Sequence, residues 1–158
     1  MSNDCNFCQK LDAIDQLSAN ELVCELPYSV VLLGPWQRYQ GYCIVVSRSH
    51  VTELSQLDTR HLFLGEMCLV ARAIETCFHP KKLNYELLGN QVPHLHWHVI
   101  PRYADDPDAA NPIWFAVERA KTDDAERQRL MARPMSAEQT ANVLREQLRL
   151  YQSPLSRG

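Results

Sequence analysis

The sequence contains no stretch of about 18 consecutive apolar residues, which a membrane-spanning helix would need. It also has no run of lysine or arginine, and its 16 basic and 19 acidic residues give a formal net charge of -3. Because nucleic-acid-binding surfaces usually carry excess positive charge, we expect a small-molecule partner and neither a nucleic acid nor a membrane.

The segment Met1 to Asn6 lacks the basic start and apolar core of an export signal, so a cytoplasmic location is predicted. No internal repeat is visible, which argues against a solenoid.

The length and composition indicate one domain. A chain of 158 residues with 46% hydrophobic content can bury a real core but has no room for two cores. Of its six cysteines, only Cys5 and Cys8 have a spacing with chemical meaning. The others lie among apolar residues and are predicted to be buried thiols, at positions 24, 43, 68 and 77.

Hydrophobic patterns predict a sheet interrupted by one long helix. Two β-forming runs at 21–26 and 29–34 are separated by Pro27-Tyr28, as in a hairpin, and 42–47 is the strongest strand candidate. Apolar residues at helical spacing follow Asp58, a candidate N-cap, and continue to about Phe78, where His79-Pro80 ends the helix. Two further strands are predicted at 83–88 and 95–101, separated by a short turn around Gly89-Asn90.

The C-terminal third has a different composition. From 102 to 134 it is rich in Asp, Pro, Ala and Arg, so little regular structure is expected there. Ser136-Ala137-Glu138-Gln139 has the form of a helix capping box. A C-terminal helix over about 137–151 follows, with an apolar face formed by Val143, Leu144, Leu148 and Tyr151.

The most informative segment is His94-Leu95-His96-Trp97-His98-Val99-Ile100. Side chains alternate across a strand, so the three histidines are predicted to share one face, with Leu95, Trp97 and Val99 on the other. Residues two apart on a strand are separated by roughly 6.5 to 7 Å, which lets three imidazoles surround one phosphate or share a metal environment. Three polar rings on an otherwise apolar strand have no obvious packing role, so the pattern predicts a chemical site.

This pattern of alternating histidines resembles the signature of the histidine-triad (HIT) superfamily. The resemblance covers about residues 5 to 102 and includes Ser49-His50-Val51 and Gly89-Asn90-Gln91-Val92. It implies an α+β fold in which an antiparallel sheet is combined with one long central helix and a C-terminal helix. It also implies a HIT domain at 1–104, an extension at 105–158 packed on the same domain, and a homodimer that binds a small nucleotide.

The resemblance also implies roles for individual residues. His96 would attack the α-phosphorus of a nucleotide conjugate, such as a dinucleoside polyphosphate or nucleoside phosphoramidate, to form a covalent nucleotidyl-histidine. A backbone carbonyl near His98 would orient the attacking ring, and His98 would donate to the phosphate or leaving group. Gly89, Asn90 and Gln91 match the phosphate-side loop, although many members have Ser or Thr where this chain has Gln91.

The Cys5-x-x-Cys8 pair is by itself compatible with zinc binding, redox chemistry or chance. Thioredoxin-like redox pairs follow a strand, and no strand can precede Cys5. The resemblance is to the bacterial hydrolase type with a zinc-binding N-terminus, whose other two ligands match His50 and His94. A closed Cys2His2 set would be structural, and the contribution of His94 would then be positional.

One position departs from the family pattern. Members commonly carry Asp or Asn just after the second strand to hold the ribose hydroxyls, and this chain has Gly34-Pro35 there. Trp36 or Gln37 could replace that contact, and Trp114 could line the site or pack against its own sheet. Hydrolysis and nucleotidyl transfer both stay open, as does a non-catalytic nucleotide-binding module with a structural zinc. A metal enzyme that uses all three triad histidines as ligands is a further alternative.

Overall fold

A computed structural model describes residues 4–152. Its centre is a five-stranded antiparallel sheet, with β1 at Leu22–Glu25, β2 at Ser29–Leu33, β3 at Cys43–Ser47, β4 at Lys82–Glu86 and β5 at His96–Arg102. The spatial order is β1-β2-β3-β5-β4, so the histidine strand β5 lies inside the sheet. The predicted α+β class and antiparallel sheet are confirmed. The connection between β4 and β5 spans residues 87–95 and is longer than the predicted short turn.

Within residues 4–152, five α-helices accompany the sheet: α1 at Asn6–Asp12, α2 at Arg60–Phe78, α3 at Trp114–Arg119, α4 at Asp124–Met131 and α5 at Ala137–Gln152. None of the helices within 4–152 has the length and apolarity needed to cross a bilayer.

Helix α2 is the long central helix expected from the apolar spacing. Asp58 is not its N-cap, because the helix begins one residue later and the cap position is taken by Thr59, whose side chain makes no capping bond. Its end is as predicted: His79 adopts a left-handed conformation with φ of 48° immediately before Pro80.

Helices α2 and α5 cover one face of the sheet and form the main core with it. Phe63 and Ile74 of α2 and Leu144 of α5 are fully buried there, against Leu95 and Val99 from the histidine segment. Burying each such side chain contributes roughly 1.5–3 kcal/mol, so this layer sets which face of β5 points inward. The histidines consequently occupy the opposite face.

The capping box predicted for α5 is present. The Gln139 amide N–H donates to the Ser136 hydroxyl at 3.1 Å, and the Ser136 amide N–H donates to the Gln139 side-chain oxygen at 2.9 Å. Leu144 and Leu148 are buried as expected, whereas Val143 is 37% exposed because it lies at the border of the apolar face.

The prediction of little regular structure at 102–134 is wrong, because α3 and α4 lie in that segment. The Asp123 side chain accepts from the amides of Ala125 and Glu126 and so begins α4. Ile113 and Leu130 are fully buried in a second cluster that covers part of the histidine face. These short helices are stabilised by tertiary packing rather than by an amphipathic pattern, which is why composition did not reveal them.

The prediction of four buried thiols is correct for Cys43 and wrong for Cys68, which is exposed on α2. Cys24 and Cys77 are half-buried. The helical spacing around Cys68 is apolar, but the position faces outward, away from the sheet.

Candidate functional site

The three triad histidines do not converge on one point. His96 and His98 belong to β5, while His94 lies two residues before the start of that strand and its ring turns toward Cys5, beside α1. All three are buried. The histidine face is therefore divided between two sites, one built around His96 and His98 and the other around His94.

The ring of His96 is held by its own chain. Its Nδ1 lies 2.6 Å from the backbone carbonyl oxygen of His94, so Nδ1 carries the proton and donates to that carbonyl. The expectation of a carbonyl near His98 is therefore wrong. The side chain folds back toward the residue two positions earlier on the same face, and this leaves the unprotonated Nε2 of His96 facing outward.

His98 completes a pair with His96. The two Nε2 atoms lie 3.1 Å apart, and because Nε2 of His96 has no proton, Nε2 of His98 must be the donor. Burial lowers the pKa of His98 to about 4, with a further contribution from His96, and burial also lowers the pKa of His96. Both rings are consequently neutral at pH 7, and the Nε2–H of His98 points at the Nε2 lone pair of His96.

Aromatic side chains surround this pair. The Phe7 ring of α1 lies 4.8 Å from the His96 ring, and the Trp114 ring of α3 lies 5.1 Å edge-on from the His98 ring, both between centroids. The indole N–H of Trp114 donates to the Glu86 carboxylate, which fixes the indole orientation. Trp114 thus reaches the site from its own chain.

A cavity of about 400 Å³ opens above the histidine pair. One wall is the β4–β5 connection, which contains the predicted phosphate-side residues Gly89, Asn90 and Gln91. Gly89 has a φ of +76°, a conformation that favours glycine, so its backbone can turn tightly at the cavity edge. The cavity is also lined by seven residues from other parts of the chain, namely Phe7, Pro35, Trp36, Tyr42, Ile44, Trp114 and Lys121.

A second cavity, of about 670 Å³, adjoins the first. Both are lined by Phe7, Pro35 and Ile44, so the two cavities are neighbours that meet at these side chains, here called the groove. Gln37 borders the second cavity, but its side chain is tied into the loop. It donates to the carbonyls of Gly34 and Tyr42 and accepts from the amide of Gly41, so the expected ribose contact from Gln37 is not supported.

The second site joins four residues that are distant in sequence. The donor atoms of Cys5, Cys8, His50 and His94 all lie within 4.8 Å of one another. Nδ1 of His94 is 3.4 Å from the Cys5 sulfur, 3.6 Å from the Cys8 sulfur and 3.3 Å from Nδ1 of His50. A tetrahedral Zn²⁺ with ordinary bond lengths separates its nitrogen and sulfur ligands by roughly 3.3–3.8 Å, so the spacing fits this ion.

The tautomer of His94 also suits a metal ligand. Its Nε2 lies 2.8 Å from the Ser47 carbonyl oxygen and donates to it, so Nδ1 keeps a lone pair directed at the two sulfurs. Burial lowers the pKa of His94, which favours this neutral form. Within residues 4–152 this is the one group of His, Cys, Asp or Glu side chains found close enough to hold a metal ion. The geometry thus gives no support to a metal bound by all three triad histidines.

Two residues of the site were not identified from the sequence. Phe7 lies between the cysteines, and its position on α1 could have been inferred from the zinc ligands on either side. Tyr42 has a hydroxyl 2.7 Å from Nδ1 of His98. Its contact depends on the register in which Ile44 of β3 pairs with His98, so no local pattern indicates it.

Comparisons with known proteins agree with this geometry. Residues 17–105 match the family model of the HIT domain. A Bacillus subtilis (strain 168) protein named Protein hit is 29% identical over 120 residues, which are 72% of this chain and 80% of that protein.

Two solved structures share the fold along nearly the whole chain. A hypothetical histidine triad nucleotide-binding protein from Sulfolobus tokodaii has a TM-score of 0.68 and 19% identity, and the match covers 97% of each chain. A Zn-bound histidine triad family protein from Mycobacterium smegmatis has a TM-score of 0.61 and 19% identity, over 94% of this chain and 96% of that one. Since the domain model matches more than half of the residues and includes the histidine strand, this chain belongs to the HIT domain family.

Proposed function

We propose that this protein is a nucleotide hydrolase or nucleotidyltransferase that acts on the α-phosphate of a nucleotide conjugate through His96. The observation that carries the proposal is the orientation of that ring. Its Nδ1–H donates to the His94 carbonyl at 2.6 Å, which leaves the Nε2 lone pair beside the Nε2–H of His98 at the mouth of a cavity. One solved relative of the same fold is described as nucleotide-binding, which supports the ligand class.

The paired rings suit a two-step transfer. In the first step Nε2 of His96 bonds to the α-phosphorus, and the bond from phosphorus to the leaving oxygen or nitrogen breaks. The Nε2–H of His98 donates a hydrogen bond to the leaving atom, which departs with the bonding electron pair and takes any proton it needs from solvent. In the second step the oxygen of water or another acceptor replaces His96 on phosphorus, the proton of that oxygen passes to solvent, and His96 regains its Nε2 lone pair.

The groove provides room for the rest of the substrate. The smaller cavity, with the predicted Gly89, Asn90 and Gln91 wall, would hold the phosphate, where backbone and amide N–H groups can donate to its oxygens. The nucleoside would extend past Phe7 and Pro35 into the larger cavity. Lys121 is the only lysine or arginine among the residues lining the smaller cavity, so hydrogen bonds rather than paired cations would hold the phosphate.

Intact-protein mass spectrometry tests the proposal. Wild-type protein is mixed with a panel of dinucleoside polyphosphates and nucleoside phosphoramidates, quenched at short times, and compared with His96→Ala. His61→Ala is the matched control, since His61 is exposed on α2. We expect a nucleotidyl adduct in the wild type and the control that is absent from His96→Ala.

The same panel distinguishes the non-catalytic alternative. If isothermal titration calorimetry shows nucleotide binding while no adduct or turnover appears with any conjugate, the protein is a nucleotide-binding module and the catalytic proposal is wrong. Hydrolysis and transfer are separated by offering a second acceptor and identifying the product.

We also propose that Cys5, Cys8, His50 and His94 hold a structural zinc. When bound, the ion would connect the N-terminal helix to the histidine strand, and four protein ligands would leave it no open position for substrate. The spacing of the donor atoms and the tautomer of His94 support this assignment, as does the Zn-bound description of one relative with the same fold. Two thiolate ligands require a reducing compartment, and we propose the cytoplasm.

A homodimer is proposed at the β4 edge of the sheet. The other edge strand, β1, is partly covered because Arg145 donates to the carbonyls of Leu22 and Val23. Strand β4 instead exposes Tyr85 at 45%, an aromatic side chain that a second copy would bury. We propose separately that residues 1–104 form the HIT domain and that residues 105–158 are an extension packed on it.

Light scattering coupled to size-exclusion chromatography tests the dimer. We expect Tyr85→Arg to shift the mass from dimer to monomer, because it places a charge in the proposed interface. Leu150→Arg changes a residue of similar exposure, 54%, on α5 and should leave the mass unchanged. A monomeric wild type at micromolar concentration would contradict the dimer.

A further inference from the structure

Tyr42 contacts His98 at the ring nitrogen that points away from His96. Its hydroxyl lies 2.7 Å from Nδ1 of His98, and the tyrosine side chain is 1% exposed. Because Nε2 of His98 already carries the proton that it donates to His96, Nδ1 has a lone pair. The Tyr42 hydroxyl must therefore donate and His98 must accept. This bond belongs to a directional series that runs from Tyr42 through His98 and His96 to the His94 carbonyl.

We propose that Tyr42 is a positioning residue that holds His98 in its Nε2–H tautomer and thereby makes His98 the hydrogen-bond donor of the site. This inference rests on the proposed function for its catalytic consequence. A neutral imidazole without such a partner can place its proton on either nitrogen. With the proton on Nδ1, two lone pairs would face each other across 3.1 Å, and no N–H would be available to hydrogen-bond to the leaving group.

The backbone holds the tyrosine ring in place. The amide of Tyr42 donates to the Tyr39 carbonyl at 2.8 Å, and the Tyr42 carbonyl accepts from the amide of Gly34 at 2.9 Å. A Cβ atom added at Gly34 would lie 2.3 Å from Cδ1 of the Tyr42 ring, which is far inside contact distance. Position 34 must therefore be glycine for Tyr42 to reach His98.

The hydroxyl keeps its proton under all ordinary conditions. Burial raises the pKa of Tyr42, and the nearby Glu86 carboxylate raises it further. Among residues 4–152, Nδ1 of His98 is the hydrogen-bond partner found for this hydroxyl. Tyr42 therefore always has a proton to donate to His98. A group that gained and lost its proton at this position would not always be a donor.

Tyr42→Phe removes the hydroxyl and keeps the ring, and Tyr39→Phe is its matched control. Tyr39 is also 1% exposed and belongs to the same buried cluster, but its hydroxyl has no hydrogen-bond partner within residues 4–152. Histidine tautomers are read from long-range proton–nitrogen NMR spectra of protein labelled with ¹⁵N-histidine. Steady-state kinetics on the best conjugate are measured alongside.

In the wild type and Tyr39→Phe we expect His98 with its proton on Nε2 alone. In Tyr42→Phe we expect a mixture of tautomers and a kcat lowered roughly 10- to 100-fold, the size typical of losing a partner that fixes the tautomer of a working histidine. KM should stay within about threefold, because the hydroxyl does not reach the substrate. If the hydroxyl had only a structural role, its removal would change the stability of the protein and leave the His98 tautomer and kcat unchanged.

The inference is overturned if His98 keeps the pure Nε2–H tautomer and an unchanged kcat in Tyr42→Phe. Should that variant fail to fold, the wild-type spectrum still decides, since a proton on Nδ1 of His98 contradicts the proposed direction of the bond. If no protein turns over any conjugate, including the wild type, the proposed function is wrong. The NMR spectra would still decide whether Tyr42 fixes the tautomer of His98.

Discussion

Phe7 and His96 pack against each other, with ring centroids 4.8 Å apart. Phe7 stands between the two cysteines of the proposed zinc site and is 9% exposed, so a single short helix joins the metal cluster to the proposed nucleophile. The same ring lines both cavities of the groove. The N-terminal helix thus lies beside the proposed substrate site as well as the proposed metal site.

Shortening Phe7 should weaken ligand binding. Phe7→Ala removes a ring that is packed on His96 and lines the groove, so we expect lower nucleotide affinity by calorimetry and roughly 3–5 kcal/mol less stability. Phe7→Leu keeps most of the apolar volume and should lie between the wild type and the alanine variant. Unchanged affinity in Phe7→Ala would show that the nucleotide does not use this part of the groove.

Removing the metal should destabilise the fold and weaken nucleotide binding together. We expect wild-type protein to contain one zinc per chain by elemental analysis, and Cys5→Ser and Cys8→Ser to lose it with a lower melting temperature, because the ion joins α1 to the histidine strand. Cys68→Ser alters an exposed cysteine outside the cluster and is the control. Stoichiometric zinc in both ligand variants would contradict the assignment.

Acid should destabilise the protein through His98. Its pKa in the folded state is about 4, below the ordinary value near 6.5, so the unfolded chain takes up a proton first as the pH falls. The resulting loss of unfolding free energy is negligible above about pH 6.5 and reaches roughly 3 kcal/mol by pH 4. Urea unfolding of the wild type and of His98→Gln should therefore converge or cross between pH 7 and 4.5.

Release of the proposed zinc in acid would lower the stability of the wild type and of His98→Gln alike. Only the difference between their two curves therefore reports on His98. Parallel curves for wild type and His98→Gln over this range would mean that His98 titrates near its ordinary pKa.

Asp106 should be among the most sensitive positions outside the site. It pairs with Arg102 at 2.6 Å, with side chains 4% and 3% exposed, and Arg102 also donates to the carbonyls of Asp108 and Asn111. Asp106→Ala leaves a buried cation without its partner, which typically costs roughly 3–5 kcal/mol.

The matched control for Asp106 is Glu25→Ala, which breaks the exposed pair with Arg48 and should cost at most about 1 kcal/mol in chemical unfolding. Equal losses in the two variants would show that burial of the Arg102–Asp106 pair has no special role.

Much of the fold was predictable because its signals are local. The alternation from His94 to Ile100 separates a chemical face from a packing face through the two-residue period of a strand. The helical spacing before Phe78 and the capping box at Ser136 likewise depend only on nearby residues, and both features are present. Cys5 and Cys8 were expected as metal ligands from their short motif, and His50 and His94 from the family resemblance. The fold brings these four side chains together.

What only the tertiary structure decided are relations between distant segments. Cys5 and His94 are 89 residues apart in sequence, and their contact requires α1 to pack on the sheet. Helices α3 and α4 are formed by burial of Ile113 and Leu130 rather than by their own pattern, and they bring Trp114 to His98. The pairing register of β3 with β5 places Tyr42 beside His98.

The sequence by itself determined that three histidines alternate with apolar residues and that two cysteines precede them at a ligand spacing. The packing of α1 and the strand register decided that His94 faces the cysteines while His96 and His98 face a cavity. The physical reason is that periodicity specifies only the face to which a side chain belongs. Its hydrogen-bond partners, and hence its tautomer and chemical role, are set by whichever distant groups the fold places against it.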